Sequence, residues 1–365
     1  APIRLLTYFK KFDYYLVEMG IDSPHPPKNM EFLLSIVQPK MAVFLNAKLN
    51  HSFAFDHLVT ASDFTLRKNE IIQLIATEKA KLILSLPKTG LAFLNFDDTN
   101  VKETCQNIEA ETYSFGSNNL CDLQILDHQV KIEKNTASSV FTFQIQNHYG
   151  KFPTKNQRLV IEIDGFLLPK HYAYSLAAAI LIGLKAGLEV TEVKTALEKN
   201  LQIPSGRASV IKGKNQSMII DSSYNASSMK DMVELVAKLS NLGGKKLALL
   251  GDMRELGQST QLMHEEIATL AAQSFDQIFL VGQEMRKYAL PILEQKLPGK
   301  VTFFQNSIEA GEAIAQLLKP GDLILVKGSQ NTIFLEEAVK KMMLEENLAN
   351  KLLCRQSAYW LNIKS

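Results

Sequence analysis

Ser217-Met218-Ile219-Ile220-Asp221-Ser222-Ser223-Tyr224-Asn225-Ala226 is the stretch on which the fold turns. A short apolar run, Ser217–Ile220, stops at an acid and passes into a small polar loop. That is how a buried strand ends at the edge of a parallel sheet. The residues that follow change period: Met229, Met232, Val233, Val236 and Leu239 recur at helical spacing on one face. Working outward, further strands are expected at Lys246–Leu250, Gln277–Val281, Val301–Phe303 and Leu323–Val326, with helices between them. Strands alternating with helices predict a doubly wound α/β domain over about residues 204–345, entered through the Pro204-Ser205-Gly206 turn.

Upstream of that turn the pattern is again α/β. Apolar runs at Tyr14–Val17, Met41–Leu45 and Leu91–Leu94 predict strands, and Asn29–Val37 and Glu70–Leu86 predict helices. Residues 104–164 are richer in Thr, Asn, Gln and β-branched types, which predicts an antiparallel β insertion. Helices are expected from Lys170 to about Ala186 and from Thr191 to Lys199.

Composition narrows the function. The 365 residues carry 40 basic and 38 acidic side chains, a net charge of +2, so no electrostatic field favours nucleic acid as a partner. Three cysteines, Cys105, Cys121 and Cys354, form no C-x-x-C pair, which argues against a zinc site or a disulfide framework and for a reducing, cytoplasmic setting. No apolar run reaches the ~18 residues of a membrane span; Tyr174–Leu184 is too short and reads as a buried helix. The N-terminus lacks the layout of a signal peptide.

Four strings carry the chemistry: Gly206-Arg207; Asp221 to Ala226; Gly251-Asp252-Met253-Arg254-Glu255-Leu256-Gly257; and Lys327-Gly328-Ser329. Asp221 follows a strand at the edge where ligands of open α/β sheets bind, and a carboxylate there can accept two ribose hydroxyls. The bland alternative makes it an acid at a helix N-terminus. Asp252 and Glu255 follow the next strand, where loop acids equally often cap a helix. Lys327 and Ser329 follow the last strand, and a cation beside a backbone turn suits a carboxylate.

In this order and spacing the strings resemble the Mur ligase family, and within it the branch that joins D-alanyl-D-alanine to UDP-N-acetylmuramoyl-tripeptide. The resemblance runs from about residue 2 to about residue 342. It implies a central ATP-binding domain over residues 1–203, truncated at its N-terminal side, and a Rossmann-like C-terminal domain over residues 204–365. It implies ATP and Mg2+ as cofactors, a cytoplasmic monomer, UDP-N-acetylmuramoyl peptide and D-alanyl-D-alanine as partners, and neither nucleic acid nor membrane insertion. By the resemblance Asp221 takes the ATP ribose and Arg207 the phosphates, with His171, Tyr224 and Asn225 also at the nucleotide. Asp252, Glu255, Lys327 and Ser329 attend the amino substrate. Glu18 (in Val-Glu-Met-Gly), His51 (in Asn-His) and Lys79 (as a carbamate) serve the metal and catalysis, with Lys79 directed toward Glu18 and His51. Oxygen ligands suit magnesium, and a carbamylated lysine supplies them. An unmodified Lys79 would instead pair with a carboxylate such as Glu18.

The departures matter as much. Where the family carries Asn residues beside the His of the adenine string, this chain has Tyr172 and Ser175. Gln330 stands where the family has Arg. No G-x-x-x-x-G-K-[ST] string occurs in the 365 residues. The expected activity is therefore ATP-dependent amide ligation through an acyl phosphate. The alternative is a nucleotide-binding or interaction remnant of the same fold, and the 365 residues alone are expected not to ligate.

Overall fold

The computed structural model describes residues 13–49, 52–133, 136–146, 150–152, 156–226, 228–240, 242–329 and 332–364. It contains two six-stranded sheets. The first runs β1 (Met41–Phe44), β2 (Leu91–Asn95), β3 (Glu111–Gly116), β4 (Leu123–Glu133), β5 (Thr136–Ile145) and β6 (Gln157–Asp164), in that spatial order. β1 to β4 pair in parallel, and β4, β5 and β6 pair antiparallel. The antiparallel region expected over 104–164 is thus an extension of the parallel sheet, and β3 within it is parallel.

Helix α1 (Met30–Ile36) is capped by Asn29, whose side chain accepts from Phe32 N. Helix α2 (Phe64–Leu84) starts six residues before the expected Glu70, because Asp63 accepts from Leu66 N and satisfies an orphan donor of the first turn. α2 buries Ala76, Ala80 and Ile83 against Ala42, Phe44, Ala92 and Leu94 of β1 and β2. Short α3 (Thr99–Thr104) is capped by Asp98. On the same sheet α4 (Tyr172–Lys185) sinks Leu176, Ile180, Leu181 and Leu184, and α5 (Val190–Lys199) follows it. Each such fully buried aliphatic side chain contributes about 1.5–3 kcal/mol relative to exposure.

The second sheet has the order β11-β10-β9-β12-β8-β7. Its strands are β7 (Ser209–Lys212), β8 (Met218–Ser222), β9 (Lys246–Gly251), β10 (Gln277–Val281), β11 (Val301–Phe304) and β12 (Leu323–Lys327). All pairs are parallel except β7 with β8. The helices are α6 (Met229–Lys238), α7 (Thr260–Ser274), α8 (Leu290–Lys296), α9 (Ser307–Leu317), α10 (Leu335–Met342), α11 (Ala349–Leu352) and α12 (Ala358–Lys364). β12 sits centrally between β9 and β8 with every residue buried, so its end, Lys327, opens at the middle of the sheet's C-terminal edge.

Two readings of the sequence change. Tyr14–Val17 forms no strand; its side chains stand in solvent, Leu16 at 92% exposure, and no strand among the described residues pairs with it. Strand β7 went unread because its four residues alternate weakly and only one is buried. The sheets are joined through it: Val210 N donates to Gly165 O and Leu167 N to Ala208 O.

Candidate functional site

The C-terminal ends of β8, β9 and β12 face the loops after β1 and before α4, and a cavity of about 160 Å3 lies between. Its lining includes Asn46, Lys48 and His171 from the first half and Arg207, Asn225, Asp231 and Lys327 from the second. A broader cleft of about 350 Å3 adjoins it, walled by Lys48, Lys68, Ile72, Met253, Arg254, Glu255 and Met263.

Lys327 is 1% exposed and its Nζ donates to Asn225 O at 2.8 Å. Burial, reinforced by the nearby Arg207 charge, pushes its ammonium down to about 7, against the opposing pull of Asp231 and Asp221. Arg207 follows Gly206, whose φ of +77° places the turn in the region glycine tolerates. A Cβ on Gly206 would sit 3.1 Å from both Tyr224 N and Cys354 Sγ, so the turn also requires glycine for space. The Arg207 guanidinium lies 4.6 Å from the Tyr224 ring centroid, and its charge counters the upward push of burial on the hydroxyl of Tyr172, the residue standing where an Asn was expected. Its buried Nε has no acceptor among the described residues. Three cations and a donor without a partner at one cavity constitute an anion-binding arrangement.

Across the cavity His171 Nδ1 stands 2.9 Å from Asp231 Oδ2. The His171 contact holds the Asp231 carboxyl below its ordinary range, with burial opposing. Asp231 opens helix α6 and was not singled out from the sequence; its neighbour in the helix pattern, Met232, was.

Other expected residues fall in different places. Asp221 is the penultimate residue of β8, at the anticipated edge, but its side chain turns inward and is wholly buried, which corrects the expectation that it faces the cleft. Oδ1 accepts from Ser223 N at 3.1 Å and Oδ2 has no partner. Burial pushes this carboxyl up to about 6. Asp252 Oδ1 accepts from Met285 N at 2.8 Å within its own half of the chain, and the helix that follows its loop has no side-chain cap. Ser329 Oγ accepts from Arg254 N at 2.8 Å, and Ser329 N donates to Asp252 O at 2.9 Å, so this string braces the Gly251–Gly257 loop. Glu255 is exposed at φ +64° on the wall of the broader cleft. Tyr224 and Asn225 are half-buried beside Arg207 and Lys327.

In the first half Lys79 Nζ donates to Asn46 O at 3.3 Å, not to a carboxylate. Burial holds its ammonium below the usual lysine value, while Asp98 and Glu18 pull it back up. Glu18 is exposed. His51 and Gln330 lie outside the described residues. Among the described residues no three His, Cys, Asp or Glu side chains are grouped to hold a metal ion.

Residues 206–330 match the family described as Mur ligase, glutamate ligase domain. The chain is 25% identical over 347 residues to the UDP-N-acetylmuramoyl-tripeptide–D-alanyl-D-alanine ligase of Buchnera aphidicola, covering 93% of this chain and 67% of that protein. It is 26% identical over 346 residues to the enzyme of that name from Bacillus subtilis, covering 94% and 67%. Over most of its length the chain is thus similar to Mur ligases, and residues 206–330 match the ligase domain of that family. It spans about two thirds of the length of these curated relatives. Among solved structures, MurF from Acinetobacter baumannii superposes with a TM-score of 0.70 at 21% identity, covering 96% of this chain and 68% of that one. The MurF ligase from Thermotoga maritima in complex with ADP gives 0.63 at 21% identity, covering 87% and 64%. At that identity the likeness establishes the Mur ligase fold. The cavity lies between the matched segment 206–330 and the preceding sheet. No helix among the described residues is long and apolar enough to cross a membrane.

Proposed function

We propose that this chain handles nucleotide phosphates and the incoming amine in an ATP-dependent amide ligase of peptidoglycan precursor synthesis. The acceptor would be UDP-N-acetylmuramoyl-tripeptide and the amine D-alanyl-D-alanine, in the cytoplasm. The observation that carries the reading is the convergence of Lys48, Arg207 and Lys327 on one interdomain cavity. Phosphoryl transfer is catalysed chiefly by positioning and charge stabilisation, and such a cavity offers both.

In the proposed reaction a carboxylate oxygen of the peptide takes the γ-phosphoryl group and ADP departs. The amine then attacks the acyl carbon, inorganic phosphate leaves, and the amine loses a proton. Magnesium, when bound, would neutralise phosphate charge. Arg207 and Lys327 would hold phosphate oxygens. The Lys327 ammonium, pushed down to about 7 by burial and by Arg207, would be favoured by an incoming anion. The Ser329–Arg254 contact would hold the loop that walls the cleft for the amine substrate. Residues 1–203 and 204–365 would act as the two jaws.

The test is titration calorimetry of ADP against the 365-residue chain, with Arg207→Met as control. Micromolar binding that Arg207→Met weakens at least tenfold supports the reading; no heat from either protein overturns it. ADP release with both substrates present then separates a ligase from the nucleotide-binding alternative left open by the absent G-x-x-x-x-G-K-[ST] string. Binding without turnover would select that alternative.

A further inference from the structure

The chain after β12 folds back on the Asp221 loop. Glu336 on α10 has no solvent exposure, and its carboxylate receives the Arg355 guanidinium on both oxygens, Nε to Oε1 at 2.8 Å and Nη2 to Oε2. Lys364 Nζ adds a second cation 2.8 Å from Glu336 Oε1, and also reaches Glu337. The remaining Arg355 donors leave this cluster: Nη1 goes to Tyr224 O and Nη2 to Ser223 O, each at 3.0 Å. Tyr224 N in turn donates to Gly206 O at 3.0 Å, and the Tyr224 ring lies under Arg207. Cys354 Sγ, one residue before Arg355, occupies the space a Cβ on Gly206 would need. A buried carboxylate with two cations is costly to build and, once built, rigid. Here that rigidity is passed along an unbroken path from α10 to the cavity.

We infer that residues 353–364 are a clamp that sets the direction of Arg207 in the interdomain cavity, and that Arg355 is its positioning residue, acting through Tyr224. This rests on the reading of Arg207 as a phosphate-binding cation. Arg355 itself touches no part of the cavity lining except through the backbone it holds. The chain's single tryptophan, Trp360 on α12, packs edge-on to Phe334 at 6.4 Å and reports whether the clamp is docked.

The experiment follows the side-chain Nε–H resonance of Arg207 in the 15N-labelled full chain, assigned by its loss in Arg207→Lys. In the parent the Tyr224 ring current displaces it. The Glu336→Gln/Arg355→Gln double variant removes both charges at similar volume and leaves no lone buried ion. Arg355→Lys keeps a cation for Glu336 but gives up the paired contacts to the two carbonyls. In whichever variant keeps the Trp360 emission of a docked α12, the Arg207 resonance is expected to lose its displacement and ADP affinity to fall about fivefold or more. A merely structural clamp would lower the melting temperature and leave that resonance in place, and this result overturns the inference. If the parent binds no ADP, the phosphate reading of Arg207 fails, while the resonance still decides whether the clamp positions it.

Discussion

Lys79 and Lys327 make a matched pair, one in each half of the chain. Each points its ammonium at a backbone carbonyl, Asn46 O at 3.3 Å and Asn225 O at 2.8 Å, and burial depresses the pKa of each. Their electrostatic company differs. Asp98 and Glu18 both favour the charged Lys79 with no cation against them, whereas at Lys327 the Arg207 charge opposes the pull of Asp231 and Asp221. The first half is therefore balanced within itself, and the second half carries cationic charge that an incoming anion would balance. A phosphate would supply to Lys327 what Asp98 supplies to Lys79.

The largest expected effect breaks the pair directly. At pH 6.5, where Lys327 holds its proton, Lys327→Met should weaken ADP binding by about tenfold to a hundredfold, the worth of one charge-assisted hydrogen bond. Lys79→Met should weaken it less, because Lys79 bonds Asn46 O and is not in the cavity lining, whereas Lys327 is. Calorimetry on both variants decides, and equal losses would show that the two lysines are not electrostatically different.

The next effect is the pH dependence. The anion-binding form of Lys327 is protonated, and its free pKa is about 7. Its contribution should be level below that value and decline as pH rises through it, at most tenfold per unit. Nucleotide phosphates titrate in the same range, so the quantity to plot is the ratio of parent to Lys327→Met affinity, in which that titration cancels. A ratio that stays constant from pH 6 to 9 would contradict the assignment.

How far this contrast was legible in the sequence depends on range. The strands of the second sheet and helix α6 announced themselves because their burial follows local apolar periodicity, as in Met229, Met232, Val233 and Val236. Tyr14–Val17 has the same local look and forms no strand, because pairing is a property of neighbours and not of the run. Lys327 and Arg207 were found through strings with a fixed place at strand ends. Asp231 and Arg355 were not, because a charged residue on a helix face, or in a loop more than a hundred positions from its partners Ser223 and Tyr224, leaves no periodic trace. The inward turn of Asp221 was equally invisible, since strand position sets where a Cα lies and packing sets where the carboxylate goes.

A smaller effect tests whether the two sides are held facing each other. Arg67 fixes Asp56 through its carbonyl and Oδ1, leaving Oδ2 to accept from Gln258 N at 3.3 Å across the cleft. Gly257 sits at φ +57°, and a Cβ there would stand 2.1 Å from Asp56 Oδ2. Gly257→Ala should cost about 1–2 kcal/mol from the left-handed backbone alone, plus the displaced contact. Thermal unfolding should show a melting temperature lower by several degrees. Asp56→Ala in the same chain should recover the collision part and not the backbone part; full recovery would mean that the backbone conformation at Gly257 carries no cost.

The smallest effect concerns the acid that stands next to Lys327 on the adjoining strand, since Asp221 pairs in register with Val326. Its carboxyl is pushed up from 3.8 to about 6, first by burial, with Glu336 adding to the rise and Ser223 and Arg355 opposing it. The sign follows from proton counts. Below about pH 4 both folded and unfolded chains hold the proton. Between 4 and 6 the folded chain keeps it and the unfolded chain releases it, so stability falls as pH rises through that window, and above 6 the penalty is constant. Asp221→Asn removes the charge, keeps Oδ1 as acceptor for Ser223 N, and replaces an oxygen that has no donor. The lost attraction to Arg355 offsets part of the gain, leaving a net stabilisation on the order of 1 kcal/mol above pH 6 and none at pH 3.5. Urea unfolding of parent and variant at pH 3.5 and 7.5 measures it. A variant less stable than the parent at pH 7.5 would mean that the carboxylate is ionised and used by Arg355, which would move Asp221 from an inward-turned strand end into the clamp itself.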